Sequence, residues 1–317
     1  MTVRLGTRRS ALALTQSGLI ADLLRERGLD VEIVPIVTEG DRTAAALDEI
    51  GGSGVFVGAL REALRCGQVD VAVHSLKDLP TAPEPGLTLA AVPTRADSRD
   101  ALVARDGLTL GELPPGARVG TGSPRRAAQL RALGLGLEIV PIRGNIDTRL
   151  GRVRTGDLDA VVLAKAGLDR LGRADRITEV LDPVQLLPAA GQGALAVECR
   201  TDDHSLVDVF ATLDDPDTRA AVTAERALLA RLEAGCTAPV GVLAEVVEDV
   251  DAVIVSVRAF VGSSDGSRDL RRSHTGPLEQ PELTGAELAD RLLAELAERG
   301  RPSADQPPEP AATEGTL

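Results

Sequence analysis

Aromatic side chains are almost missing from this sequence: its 317 residues include three Phe and neither Tyr nor Trp. Stacking platforms for bases are therefore absent. A net charge of −13, from 48 acidic against 35 basic residues, also denies the chain the basic surface that non-specific nucleic-acid binding needs, so nucleic acid is excluded as a partner. No apolar run approaches the roughly 18 residues of a membrane span, and MTVRLGTRRSALALTQS has no charged-then-apolar leader pattern. A cytoplasmic chain with no membrane attachment is expected. The three cysteines, Cys66, Cys199 and Cys236, are odd in number and form no CxxC pair, which suits a reducing compartment and no disulfide framework. With only His74, His204 and His274, and no HxxxH spacing, no metal is expected. Lysine is scarcer still, since Lys77 and Lys165 are the only two.

What is present is an ordinary globular mixture, 43% hydrophobic and 26% charged, long enough for two or three domains. An internal repeat organises its first two thirds. RLGT at 4–7, followed by Ser10, returns as RVGT at 118–121, followed by Ser123; VEIVPI at 31–36 returns as LEIVPI at 137–142; RCGQVDVAV at 65–73 returns as RTGDLDAVV at 154–162. Each echo reads as a strand, and helical periodicity such as Leu12, Leu19, Leu23 and Leu24 fills the gaps. The fold class is therefore α/β, with two similar lobes of parallel or mixed sheet covered by helices on both faces. The first lobe takes residues 1–95 together with 194–213, and the second takes 99–190. AVPTRADSRDALVAR (91–105) and LLPAAGQGALAVECR (186–200) are the two crossings, with GALAVECR a strand returning to the first lobe, and two crossings imply a cleft. Residues 216–300 form a small α+β domain. It starts with a helix capped by Asp217 or Thr218 and closed by Gly235, continues through strands GVLAEVV and DAVIVSVRAFVG, and ends in a helix from about 284 to 298. The tail 301–317, rich in Pro, Ala and acids, is expected to be disordered.

In open α/β sheets ligands bind beyond the carboxyl ends of strands. The repeat places there the loops GTRRS, TEGDRT, HSLKDLP, GTGSPRR, RGNIDTR and AKAGLDR, which carry Arg8, Arg9, Arg42, Lys77, Arg125, Arg126, Arg143, Arg149, Lys165 and Arg170. A single such Arg is ordinarily a solvated surface residue. Ten in strand-end loops of an acidic chain point instead to a multiply charged organic anion, held by guanidinium forks and by N–H groups at helix starts. For Lys77 and Asp78 a local ion pair competes evenly with a functional role. His74 reads as a core or supporting histidine. Cys236, in RLEAGCTAPVG, reads as a small buried apolar residue, although its small neighbours leave room for a bulky group near the sulfur.

RLGTRRSALAL, GGSGVFV, VDVAVHSLKDLPT, VGTGSPRRAAQL, PIRGNIDTRL, LAKAGLDRLG, LPAAGQGALAVECR, VTAERALLARLEAGCTAPVG and RAFVGSSDGS together resemble the porphobilinogen deaminase (hydroxymethylbilane synthase) family, in order, from about residue 4 to 300. The resemblance implies two lobes like type II periplasmic binding proteins plus a small domain bearing a cofactor cysteine. It implies a monomeric transferase of tetrapyrrole and haem biosynthesis that condenses four porphobilinogen molecules, with loss of ammonia, into hydroxymethylbilane. The family carries a dipyrromethane cofactor on a cysteine thioether, which maps to Cys236, and its catalytic carboxylate maps to Asp78. Cofactor and substrate contacts map to Arg8, Ser10, Lys77, Ser123, Arg125, Arg126, Arg143, Arg149 and Arg170, and Phe56 is placed to stack on a pyrrole ring. The chain departs from the family's GGKGLFVKE pattern, with Glu49, Ser53 and Gly58 where basic residues often stand, and its turn reads EAGC rather than EGGC. A non-catalytic two-lobed polycarboxylate-binding protein explains the repeat and the arginines but gives Asp78 and Cys236 no work. A different lyase or transferase on the same scaffold is the other alternative.

Overall fold

The computed structural model describes residues 2–36, 54–234, 238–250, 252–263, 265–267 and 269–299, with the side chains of 54–56 and 299 excepted. The elements in chain order are β1 (Thr2–Arg8), α1 (Ala11–Glu26), β2 (Asp30–Ile36), α2 (Gly54–Arg65), β3 (Val71–Ser75), β4 (Leu87–Ala91), β5 (Asp100–Ala104), β6 (Arg118–Thr121), α3 (Pro124–Ala132), β7 (Glu138–Pro141), α4 (Ile146–Arg154), β8 (Ala160–Ala164), α5 (Lys165–Arg170), β9 (Glu179–Val180) and β10 (Leu195–Arg200). There follow α6 (His204–Ala211), α7 (Pro216–Arg231), β11 (Val240–Glu248), β12 (Val253–Gly262), β13 (Asp269–Pro277) and α8 (Pro281–Arg299).

Two five-stranded sheets repeat one plan. The first has the order β2-β1-β3-β10-β4 and the second β7-β6-β8-β5-β9. In the first, Leu5 stands parallel to Ile33 on one side and Val71 on the other. Its repeat mate Val119 stands likewise between Ile139 and Ala160. The fourth strand of each sheet runs antiparallel to its neighbours and is delivered by a crossing: β5 enters the second sheet between β8 and β9, and β10 returns to the first between β3 and β4. Each lobe is thus completed by a strand that crosses from the other. Where the crossings pass, Gly193 takes φ +90°, and a Cβ there would meet the Ala96 carbonyl oxygen at 2.4 Å, so no larger residue fits.

Ser10 caps α1 by accepting from the Ala13 amide, as N-cap serines do. The buried face of α1 is Gln16, Ser17, Ile20, Ala21 and Leu24. Leu19, expected on the apolar stripe, is 45% exposed, because a 3.6-residue period carries it about 100° from Ile20. The third domain is the antiparallel meander β11-β12-β13. Its core joins Ala224 and Leu228 of α7 and Leu288 and Leu292 of α8 to Val242, Val255 and Val257 of the sheet. Phe260 and Leu243 pack instead on Ala128 and Leu187 of the second lobe. The cap of α7 is Asp215, accepting from the Thr218 amide, with Pro216 at the first turn, rather than the expected Asp217 or Thr218; proline preorganises the first turn and moves the cap upstream. Past the helix end Glu233 holds φ +51°, and Gly235 lies outside the described residues. β13 has no counterpart in the sequence reading, because of its nine residues only Leu270 is buried and the apolar alternation that marks a strand is absent.

Burial at the crossings is electrostatic as well as apolar. Asp100, fully buried at the start of β5, pairs with Arg125 at 2.9 Å and Arg126 at 2.8 Å, and accepts from the Gln192 amide at 2.8 Å. Burial works against its charge, yet the two guanidinium groups hold its carboxyl well below the ordinary range. Nearby, Arg95 reaches Glu225 of α7 at 2.7 Å, while Glu225 also accepts from the amides of Gly191 and Ala244, which ties the third domain to both crossings. The depressed Asp100 carboxyl contributes stability that is complete above the unfolded value of about 3.9 and drains as the pH falls towards the lower folded value. Asp100→Asn, which leaves two buried cations short of an anion, is expected to cost about 3–5 kcal/mol. It should also flatten the fall in stability below about pH 4; denaturant titrations of both proteins across that range check both effects.

Candidate active site

A cavity of about 1200 Å³ lies between the lobes. From the first lobe it is lined by Arg8, Ser10, Gln16, Ser75, Lys77 and Asp78, and from the second by Gly122, Arg126, Arg143, Asn145, Arg149 and Arg170, with Gly193 and Ala194 of the second crossing between them. Both lobes therefore present their strand ends and helix starts to one space. In the RGNIDTR loop, Gly144 takes φ +102°, and a Cβ there would stand 2.9 Å from Thr148 Cγ2. The Asn145 side chain caps α4 by accepting from the Thr148 amide at 2.8 Å, and Arg149 Nε donates to the Gly144 carbonyl at 2.8 Å. The loop thereby sets Arg143 and Arg149 on one wall.

Of the ten cations expected at the strand ends, Arg8, Lys77, Arg126, Arg143, Arg149 and Arg170 line the cavity. Arg125 does not; it is buried behind the wall on Asp100 and donates to the Leu187 carbonyl. Ser123 is absent from the lining too, and caps α3 by accepting from the Arg126 amide. Arg9 is exposed and away from the cavity, and Lys165 pairs with Asp169 at 2.7 Å. Arg42, Glu49, Ser53 and Cys236 lie outside the described residues, as do the tail 301–317 and the side chain of Phe56, whereas Gly58 falls within α2.

Lys77 and Asp78 sit on a short 3-10 turn, Leu76–Asp78, at the end of β3. Among the described residues no ion pair joins them, and the Asp78 carboxylate has neither a side-chain hydrogen bond nor a salt bridge. Burial lowers the Lys77 ammonium's pKa; Arg126 and Arg125 push the same way, while Asp78 and Asp100 oppose. Burial also lowers the guanidinium groups of Arg149 and Arg170. An anion entering the cavity thus meets cations that have already shed water and whose partner it would supply. Asp78 is not the lining's one acid, as Asp147 also faces the cavity, but Asp147 pairs with Arg173 at 3.0 Å. His74 is buried behind the turn, 3.3 Å from Glu198, which in turn pairs with Arg61 at 2.9 Å. Burial pushes the Glu198 carboxyl up, but His74 and Arg61 outweigh it and hold it low. The histidine is supporting structure, as expected.

Gln16 escaped the sequence reading, and Ser75 stands there only as part of the HSLKDLP loop, without a role. The Gln16 Nε2 donates to Ser75 Oγ at 2.9 Å, linking α1 to the turn that carries Lys77 and Asp78. A signal existed: Gln16, 5% exposed, shares the four-residue spacing of Ile20 and Leu24, and a polar group on an apolar helix face calls for a buried partner. The donor set as a whole suits a linear polypyrrole bearing several carboxylates: arginines on two facing walls, helix starts capped by Ser10 and Asn145, and one carboxylate with no ion pair among the described residues. Among the described residues no group of three or more His, Cys, Asp or Glu could hold a metal ion, and no helix is long and apolar enough to cross a membrane.

Residues 3–208 match the family model described as porphobilinogen deaminase, dipyromethane cofactor binding domain, and residues 219–294 match porphobilinogen deaminase, C-terminal domain. The proteins called porphobilinogen deaminase from Mycobacterium tuberculosis and Mycobacterium bovis are 60% identical over 303 residues, spanning 94% of this chain and 96% of theirs. The one from Mycobacteroides abscessus is 60% identical over 296 residues, spanning 92% and 96%. Among solved structures, the L-cystine solute receptor of Neisseria gonorrhoeae aligns with 67% of this chain and 84% of its own, at 15% identity and a TM-score of 0.39; the two-lobed architecture rests on the strand orders, not on that likeness. Matched by both family models and by relatives across nearly its whole length, the chain belongs to the porphobilinogen deaminase family.

Proposed function

We propose that this chain is a transferase that joins four porphobilinogen molecules head to tail, releases one ammonia per joining step, and frees linear hydroxymethylbilane by hydrolysis. The observation that carries the reading is the cleft's charge pattern, in which cations from both lobes surround a single carboxylate, Asp78, that has no partner among the described residues. Dipyrromethane, held through a thioether to Cys236, would occupy the same cleft, with Arg8, Ser10, Lys77, Arg126, Arg143, Arg149 and Arg170 as partners for its acid groups and Ser123 and Arg125 supporting that wall from behind. When bound, it supplies the nucleophilic pyrrole α-carbon to which the first substrate is joined.

The chain's own residues divide the remaining work. Each substrate ring brings an acetate and a propionate, and arginine forks meet these bidentately while Lys77 offers a compact charge. Loss of ammonia leaves positive charge spread onto the substrate's pyrrole N–H. A carboxylate there, with no competing ion pair among the described residues, stabilises that charge and can take the α-hydrogen when the new carbon–carbon bond has formed. Phe56, in the first turn of α2, would stack on a ring. A non-catalytic polycarboxylate binder would have no use for Asp78, whose charge repels the ligand. The same reading makes the chain a cytoplasmic monomer that works without metal.

Intact mass of the denatured protein tests the cofactor. Two porphobilinogen-derived rings are expected beyond the sequence mass, and none on Cys236→Ser; a bare polypeptide from cells making haem would refute the attachment. Asp78→Asn should keep the adduct yet lose about 10²–10⁴-fold in kcat, whereas near-normal turnover would remove Asp78 from the chemistry. Because only two lysines exist and burial lowers the pKa of one, acetic anhydride at mildly alkaline pH should modify Lys77 ahead of Lys165, with porphobilinogen protecting Lys77 alone. Equal rates and equal protection, read by peptide mapping, would count against Lys77 as an anion partner.

A further inference from the structure

The turn that carries Asp78 is held from the third domain. Val222 of α7 packs in one apolar cluster with Leu76 and Leu79, on either side of Lys77 and Asp78. One turn further along α7, Arg226 donates from one guanidinium nitrogen to the Leu79 carbonyl at 3.0 Å and from the other to the Pro80 carbonyl at 2.7 Å. Those carbonyls belong to the two residues that follow Asp78. On its other side the turn is tied to the second crossing, where the Leu76 amide donates to the Ala194 carbonyl at 3.0 Å. Arg226 does not line the cavity, and among the described residues it pairs with no carboxylate within salt-bridge distance. Its half-buried charge, lowered in pKa by burial and by Arg61 and raised by Glu198, is spent on two backbone acceptors. A guanidinium fork bonded to consecutive carbonyls restricts the chain on which it closes, and α7 leads in sequence, through Ala234, to the segment containing Cys236.

We infer that Arg226 is a positioning residue, which locks the Leu76–Pro80 turn to α7 so that the Asp78 carboxylate keeps a constant place relative to the helix that leads to the cofactor cysteine. The inference rests on the reading of Asp78 and Cys236 given above. It differs from simple domain adhesion in what it costs to lose: adhesion concerns the folded fraction, whereas positioning concerns the rate of chemistry in protein that is folded and loaded. A misplacement of about 1 Å at a reacting group can lower a rate by about 100-fold.

Arg226→Met keeps the apolar stem and removes the donors; Arg226→Lys keeps charge and one donor point. Holoprotein of each is compared with the unsubstituted chain by steady-state kinetics, intact mass and amide hydrogen exchange. The Met variant is expected to carry the two-ring adduct, to lose about tenfold to 100-fold in kcat at unchanged KM, and to exchange faster in the 76–80 peptide while α8 keeps its protection. The Lys variant should recover part of kcat. Should the Met variant fail to fold, the Lys variant alone decides: a kcat and turn exchange equal to the unsubstituted chain's would overturn the inference. It would equally fall if the Met variant kept full kcat, or lost activity only in proportion to its folded fraction with turn exchange unchanged. Absence of the adduct and of turnover in the unsubstituted chain would instead sink the functional reading beneath it, whatever the exchange data show.

Discussion

The buried carboxylate of Asp100, clasped by Arg125 and Arg126, is the contact on which the cleft depends. A cleft for polycarboxylates must hold several cations close together, and each repels the rest at short range by about 1 kcal/mol even in water and by more where water is thinned. One internal anion behind the wall offsets part of that repulsion before any ligand arrives. Asp100 opens β5, the strand that crosses into the second lobe, and Gln192 of the returning crossing donates to it. The same carboxylate therefore sets Arg126 in the cavity wall and joins the two crossings to each other.

Charge in the cleft follows from how each group is partnered. Arg149 and Arg170 donate to the backbone carbonyls of Gly144 and Gly193, which orients their forks without neutralising them. Lys77 lies among Arg126, Arg125, Asp100 and Asp78, so an incoming acid group relieves repulsion there. Asp147 is taken by Arg173. Asp78, on a turn braced by Ala194 and Arg226, lines the cavity with no salt bridge to any described residue. Preorganisation of this kind lowers the cost of ordering at each turnover.

Much of this architecture was legible beforehand. The three-part repeat marked β1, β2 and β3 and their counterparts β6, β7 and β8, because buried strands are near-continuous apolar runs and β1 and β6 share a Gly-Thr ending followed by a capping Ser. The RGN loop was legible as a motif, because Gly144 and Asn145 carry their conformations in their side-chain types. Other features were not. β13 alternates too weakly to be read and exists because β12 offers it a ladder from Ile254 to Gly262. Leu19 was placed inside by spacing and turned outward by the exact phase of α1. Arg125 and Arg126 are adjacent and chemically identical, and only the position of Asp100 and Leu187 sends one behind the wall and the other into it.

Residue chemistry and local conformation are set along the chain: two repeated α/β lobes, an acidic chain with its arginines concentrated in strand-end loops, two lysines, and a family pattern running through all of them. Those are properties of composition and short-range periodicity. Contacts across the fold settle which cations share a cavity, which acids are already paired, and that Gln16 and Arg226 brace the turn bearing Asp78. These outcomes depend on Coulombic and hydrogen-bond contacts between residues as far apart as Arg226 and Leu79, whose energies fall steeply with distance; local spacing tells at most that a group such as Gln16 needs a partner, not which one.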